Sequence, residues 1–224
     1  MQSSYVITID GPSGSGKSSL SKTISQKLNW FHLESGIIYR VLACLFLKNK
    51  YMISKKNVIS LMHALENHFI YHNGKIHSFH TKCFTKKDIL SSNVTDISSK
   101  LSTIKYIRDY LLFKQRLFKQ NPGLVANGRD MGTIVFPHAI IKFFLYANLK
   151  ERVYRRIKEL KKNGFNICFE KLLFQMQKRD YRDQNRKFAP LKIAKNSIIL
   201  DSSNMNFQET CNFAMHYIKK KIFL

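Results

Sequence analysis

The sequence predicts a parallel α/β sheet covered by helices, and three observations carry that prediction. The octapeptide from Gly11 to Ser18, GPSGSGKS, satisfies the phosphate-binding pattern G-x-x-x-x-G-K-[ST] at every fixed position. Residues 5–10 (YVITID) form a short apolar, β-branched run that reads as a buried strand, and residues 18–28 follow with Leu20, Ile24 and Leu28 at helical spacing. Further on, strand-like runs alternate with helical ones, and residues 140–146 are almost continuously apolar, the pattern of a parallel strand covered on both faces. Strand, glycine-rich turn and helix in that order define the P-loop NTPase type of sheet.

The residue types of the loop follow from what it holds. Gly11, Gly14 and Gly16 permit turns and close approaches that a Cβ would block, so successive N–H groups can converge on one anion-sized hollow at a helix N-terminus. Lys17 supplies a point charge for the β- and γ-phosphates, and the Ser18 hydroxyl is placed to ligate the Mg²⁺ that accompanies ATP. The expected ATP-binding residues are therefore Gly11, Pro12, Ser13, Gly14, Ser15, Gly16, Lys17, Ser18 and Ser19. The competing reading, a glycine-rich turn without a ligand, explains the turn but not the lysine and serine that close it.

Along the chain, residues 30–33 form a candidate second strand that delivers Glu34, Ser35 and Gly36 to a helix over residues 37–49. Arg40 lies one helical turn past Gly36, where a phosphate can be held by a helix N-terminus and a guanidinium together. A helix over residues 54–67, with Ser54 as its N-cap, buries Val58, Leu61, Met62 and Leu65. Residues 68–72 and 75–79 flank Asn73-Gly74, a strong hairpin signal, and residues 81–85 are read as a third strand.

Helices are expected near residues 94–101 and over 104–119, ended by Asn121-Pro122-Gly123. A strand at 124–126, a loop from Gly128 to Gly132 and the apolar strand at 140–146 follow. Asn148 then caps a helix to about Lys162, Asn163-Gly164 breaks it, and another helix covers residues 169–186. A last strand at 197–201 and a terminal helix at 207–222 complete the alternation. The expected organisation is a core of residues 1–65 and 93–224, a small β-rich insert at 66–92 with 93–108 adjoining it, and a lid near 148–168.

Composition bounds the function class. The 224 residues hold no run of eighteen or more apolar residues and no secretory signal, so a soluble, cytoplasmic monomer away from membranes is expected. Four scattered cysteines, with no C-x-x-C pair, fit reduced thiols. The balance of 38 Lys+Arg against 14 Asp+Glu, a formal +24, suits contact with polyanions. The lysines are spread along the chain without a recognition helix or stacking motif, so no specific nucleic-acid partner is expected.

Arginine carries more information than lysine here. Arg40, Arg108, Arg129, Arg152, Arg155 and Arg156 fall in loops or at helix ends. The run R-D-x-R-D-x-x-R from Arg179 through Arg182 to Arg186 suggests bidentate contacts to phosphate, although Asp180 and Asp183 could simply pair with these arginines along one helix.

Taken together, the phosphate loop, Ser35-Gly36-x-x-Tyr39-Arg40, the segment GRDMGT at residues 128–133, the Arg179 to Arg186 run with Ala189-Pro190, and Leu200-Asp201-Ser202 resemble the bacterial cytidylate (CMP) kinases over essentially the whole chain. The resemblance implies transfer of the γ-phosphoryl of ATP to CMP or dCMP, with an NMP-binding insert and a helical lid. By position, it places Ser35, Arg108, Asp130 and Arg186 around the cytosine. Ser99, Arg179 and Asp183 fall near the pentose, and Arg40, Arg129 and Arg186 near the monophosphate. Lys17, Arg129, Arg182 and Arg186 are the expected catalytic residues, and Arg152, Arg155 and Arg156 belong to the lid over ATP.

Chemistry fits that implication. The nucleophile would be an acceptor phosphate oxygen, mostly ionised at neutral pH, so no side-chain general base is required. The N4 donor beside the N3 and O2 acceptors of cytosine is complementary to Asp130 with Ser35 and to Arg108 with Arg186.

The chain departs from the family at Glu34, where Asp is common, and at Ile37, where a small residue is usual. Rival readings are a kinase of the same architecture for UMP, AMP or shikimate, and a nucleic-acid-binding ATPase. The triplet His77, His80 and Cys83 has metal-like spacing but no fourth ligand and no counterpart in the family.

Overall fold

The computed structural model describes residues 4–49, 55–81 and 83–222. Its strands are β1 (Tyr5–Asp10), β2 (Phe31–Glu34), β3 (Phe69–His72), β4 (Lys75–Phe79), β5 (Gly123–Gly128), β6 (Ile141–Tyr146) and β7 (Ile198–Asp201). The helices are α1 (Lys17–Leu28), α2 (Ser35–Lys48), α3 (Lys55–Glu66), α4 (Lys86–Leu90), α5 (Ser92–Leu101), α6 (Lys105–Arg116), α7 (Leu149–Lys162), α8 (Phe169–Asn185) and α9 (Phe207–Ile222). A single wide π-type turn, Met131–Val135, follows β5. The Ser54 cap expected for α3 lies outside the described residues.

Five strands form one parallel sheet in the order β2-β5-β1-β6-β7. Because side chains alternate across a strand, the two faces collect different cores. Ile7, Ile9 and Val125 face Leu20 and Ile24 of α1 and Ala214 and Ile218 of α9. Val6, Leu33, Leu124 and Ala126 face a cluster built with α2, α3, α5 and α6. Parallel strands end at one edge, so Asp10, Glu34 and Gly128 arrive side by side. Asp10 pairs in register with Gly128, and Glu34 with Asn127.

The hairpin forms as the Asn73-Gly74 signal predicts, with φ of 47° and 72° at the two turn residues. It is not a free-standing lobe: Phe69 and Ile76 join the cluster under α2 and α6, and the Ile76 N–H donates to the Leu117 carbonyl at 3.1 Å. The third strand expected at 81–85 does not form among the described residues. Thr85 instead opens α4 with a capping box, its hydroxyl accepting from the Asp88 N–H while Asp88 Oδ2 accepts from the Thr85 N–H at 2.8 Å. A Thr-x-x-Asp signature just ahead of an apolar pair outweighed the weak strand preference.

Candidate active site

The phosphate loop takes the shape its sequence demands. Gly11, Gly14 and Gly16 have φ of 146°, 75° and 98°, and a Cβ on Gly11 would fall 2.1 Å from the Leu145 carbonyl oxygen. Glycine thus lets β1 turn into the loop directly against β6. Pro12 shapes the loop from behind, and its carbonyl accepts from Lys17 Nζ at 2.5 Å, while Ser15 Oγ accepts from the same ammonium at 3.2 Å. Lys17 is buried, Ser19 is exposed, and both line the cleft above the loop.

At the start of α1, the Ser18 hydroxyl donates to Glu34 Oε1 at 2.5 Å, and Asn127 Nδ2 approaches Ser18 Oγ at 3.5 Å. Glu34 ends β2 and Asn127 lies near the end of β5, so the sheet register itself sets this group. The Ser18 hydroxyl and the Glu34 carboxylate form an oxygen pair beside the phosphate loop, which suits a hard cation such as Mg²⁺, while Asn127 turns its amide nitrogen to Ser18 and its Oδ1 to the Ser21 hydroxyl at 2.9 Å. The departure at Glu34 therefore keeps the carboxylate within reach of Ser18.

Across a cleft of about 1170 Å³ stands a second wall, and the sequence-predicted acceptor residues meet there. Asp130 is buried and paired on both sides: Arg108 Nη2 donates to Oδ2, and Arg186 Nη2 lies 3.7 Å from Oδ1. Ser35, the first residue of α2, accepts from Gln115 Nε2 at 2.8 Å. Arg129 Nε donates to Asp183 Oδ2 at 2.8 Å, and Arg179 reaches Ser13 Oγ at 3.4 Å, tying this wall to the phosphate loop. Arg40 donates to the Ile89 carbonyl at 2.7 Å and to Thr95 Oγ1 at 3.2 Å. Ser99 Oγ, Arg179 Nε and Arg186 Nη2 are buried without a hydrogen-bond partner. Such groups are costly to bury unsatisfied, and they lie where a polar ligand would complete them.

Electrostatics give the site its polarity. Burial, followed by the charges of Arg129 and Arg179, drives the Lys17 ammonium well below its usual range. Burial and then Arg129 bring Arg179 down to about 10, and burial with Arg179 and Arg156 brings Arg40 down to about 9. Asp183 goes the other way: burial opposes its charge, but Arg129 and Arg179 hold the carboxyl below the ordinary carboxylate value. Cations that discourage one another's charge in a confined cleft define a place for polyanions.

The three expected lid arginines divide. Arg152 is a strut beneath the cleft, donating to the carbonyls of Ala147 at 2.9 Å and Ser13 at 3.0 Å and to Asp180 Oδ2 at 2.6 Å. Arg155 lies over the phosphate loop, donating to the Ser15 carbonyl at 3.3 Å and to the Ser202 carbonyl at 2.6 Å. Arg156 pairs with Glu159 at 2.6 Å and approaches the Leu90 carbonyl at 3.5 Å, so it spans from α7 to α4.

Arg182 is not brought to the cleft. Both of its Nη atoms lie 3.2 Å from Asp96 Oδ1 of α5, on the outer side of α8. By helical spacing Arg182, three residues past Arg179 and four before Arg186, borders the face that carries Arg179, Asp183 and Arg186 into the cleft, and the pairing with Asp96 holds its side chain away from it.

Sequence reasoning missed Gln115 and Asp10. Gln115 sits seven residues, two helical turns, past Arg108, which was signal enough for a shared face. Asp10 ends an apolar strand run, where a buried acid asks for partners. Met205 and Phe207 also line the cleft without any motif to mark them. His77 instead packs edge-on against Phe31, with ring centroids 5.4 Å apart, and no metal-type cluster of His, Cys, Asp and Glu occurs among the described residues. No helix there is long and apolar enough to cross a membrane.

A phosphate loop on the edge of a parallel sheet, facing an arginine-rich wall across one cleft, marks a P-loop phosphotransferase. The family model for cytidylate kinase matches residues 7–220. The cytidylate kinase of Buchnera aphidicola subsp. Baizongia pistaciae is 49% identical over 218 residues, covering 96% of this chain and 94% of the relative. Those of Erwinia tasmaniensis (41% over 220 residues, 98% and 97% covered) and Yersinia pestis strain Pestoides F (41% over 216 residues, 96% and 94% covered) are also similar. The chain belongs to the cytidylate kinase family.

Proposed function

We propose that the chain transfers the γ-phosphoryl group of ATP to CMP and dCMP, giving ADP and the nucleoside diphosphate. The observation that carries this reading is Asp130, a buried carboxylate flanked by Arg108 and Arg186 and facing the phosphate loop. An acidic acceptor flanked by guanidinium donors is complementary to the N4, N3 and O2 edge of cytosine, and Ser35 extends the edge toward N4.

In this reading, the acceptor phosphate is collected by Arg40, Arg129 and Arg186, and the pentose meets Ser99, Arg179 and Asp183. ATP lies along Gly11 to Ser19 with Lys17 on its terminal phosphates. Ser18 and Glu34 would hold the Mg²⁺ that is carried in with ATP, which would supply neutralisation of the phosphate charge. The attacking oxygen is already ionised, so the chain's task is to place it in line, neutralise two repelling phosphates and exclude water. Lys17 and Arg129 meet the transferring group from opposite walls. Lid residues 148–168 close over ATP through Arg155 and Arg156, with Arg156 already reaching the insert at residues 66–92. The core is then 1–65 with 93–224.

ADP formation from ATP tests this directly, with CMP, dCMP, UMP, AMP and shikimate supplied separately and then RNA or DNA. Preference for CMP and dCMP is expected. Preference for UMP, AMP or shikimate would overturn the cytosine assignment, and turnover stimulated only by polynucleotide would overturn the kinase reading.

A further inference from the structure

Asp10 is the last residue of β1, immediately before the phosphate loop, yet its side chain serves the opposite half of the site. Oδ1 accepts the Met131 N–H at 2.9 Å and Oδ2 accepts the Gly132 N–H at 2.7 Å. Those two amides open the wide turn that follows Arg129 and Asp130, the residues assigned above to the acceptor. Only a carboxylate takes two adjacent backbone N–H groups with two equivalent acceptor oxygens; an amide of the same size offers one.

The fit around the turn is close. A Cβ on Gly132 would fall 2.9 Å from Thr8 Oγ1 and 3.3 Å from Asp10 Oδ2, so glycine lets the turn press against β1. The arrangement also opposes solvation: Asp10 is buried, and burial pushes its carboxyl up to about 6 despite the two N–H donors. A costly buried charge that spans β1 and the β5 turn marks a place where geometry matters more than stability.

We propose that Asp10 is a positioning residue, which locks the Arg129–Asp130 segment to the strand carrying the phosphate loop and so fixes the spacing of the two nucleotide halves. The inference rests on the acceptor role given to Asp130. Neither Asp10 nor Gly132 lines the cleft, so both act through the turn rather than on a nucleotide.

Steady-state kinetics of D10N and G132A, with CMP and ATP varied in turn, test it. In D10N the amide nitrogen opposes one backbone N–H, and KM for CMP is expected to rise about tenfold or more while KM for ATP stays within about threefold. G132A leaves the carboxylate intact and displaces the turn by bulk, so the same split is expected at about three- to tenfold. If D10N fails to fold, as judged by its thermal transition, G132A carries the test alone. Equal rises in both KM values, or an unchanged KM for CMP in the folded variants, would overturn the inference. Absence of CMP turnover in the wild-type chain is a different result, since it overturns the acceptor reading on which the inference rests.

Discussion

Asp183 and Arg129 are joined within one wall of the cleft, from α8 to the turn after β5, by an Nε–H···Oδ2 hydrogen bond of 2.8 Å between largely buried side chains. Arg179 Nε stands 3.9 Å from the same oxygen. One carboxylate therefore balances two cations of a confined anion site. Removing it leaves both guanidinium groups repelling each other, which for a buried pair costs about 3–5 kcal/mol. Asp183→Ala is expected to lower the melting temperature clearly and to reduce kcat/KM for CMP about 100-fold. Thermal unfolding and initial rates check it; an unaltered melting temperature would show that the pair is not structural.

Arg182 gives the opposite expectation. Its ion pair with Asp96 is exposed on the carboxylate side, and surface pairs contribute about 0–1 kcal/mol. Arg182→Ala should keep kcat and both KM values within about threefold, whereas Arg179→Ala and Arg186→Ala should each lose about 100-fold or more in kcat/KM for CMP. A large loss on replacing Arg182 would mean that α8 rotates during turnover.

Asp10 predicts a pH effect of unusual sign. Its folded pKa, about 6, lies above the ordinary 3.8, so the folded chain holds this proton more tightly than the unfolded one. Its contribution to stability is full below about pH 4 and is lost as pH rises through about 6, by on the order of 3 kcal/mol. Asp183, held below the ordinary value, contributes above the usual carboxylate range and loses that contribution in acid. D10N should therefore gain stability relative to wild type as pH rises from about 4 to 7. Urea unfolding across that range measures the difference, and a difference independent of pH would contradict the assignment.

Lys114 anchors the hairpin to α6. Its ammonium donates to Glu66 Oε1 at 2.5 Å and to the Tyr71 hydroxyl at 2.8 Å, and it lies 5.4 Å from the Tyr71 ring centroid and 5.5 Å from that of Tyr110. Lys114→Met keeps the apolar stem and loses the charged contacts, which should cost about 1–3 kcal/mol in a chemical denaturation experiment. Glu66→Gln retains an acceptor and should cost less. Equal losses would assign the effect to the charge of the pair and leave nothing to the retained acceptor.

How far the sequence reached depended on how local each signal was. The phosphate loop, the Asn73-Gly74 turn and the Asn148 cap, whose Oδ1 accepts the Glu151 N–H at 2.9 Å, are written in a few adjacent residues. The resemblance to the cytidylate kinases, followed position by position, grouped Asp130, Arg108, Arg186 and Ser35, all of which line the same cleft. What escaped depends on distant pairings: whether Arg182 faces the cleft is decided by Asp96 on another helix, and Arg152 became a strut because Ser13 and Asp180 meet it. The third strand failed for a local reason, since a Thr-x-x-Asp box near an apolar pair signals a helix start as readily as a strand end.

The sheet order has a further consequence. Glu34, Gly128 and Asp10 end β2, β5 and β1, which are immediate neighbours, so the pieces to which the proposed function assigns metal, acceptor and triphosphate are set apart by whole strand steps of about 4.8 Å. Such a ruler has no half divisions. Substitution can change which group stands at each mark, but the gap between the proposed donor and acceptor sites can be retuned only by re-registering a strand or bending the turns beyond it.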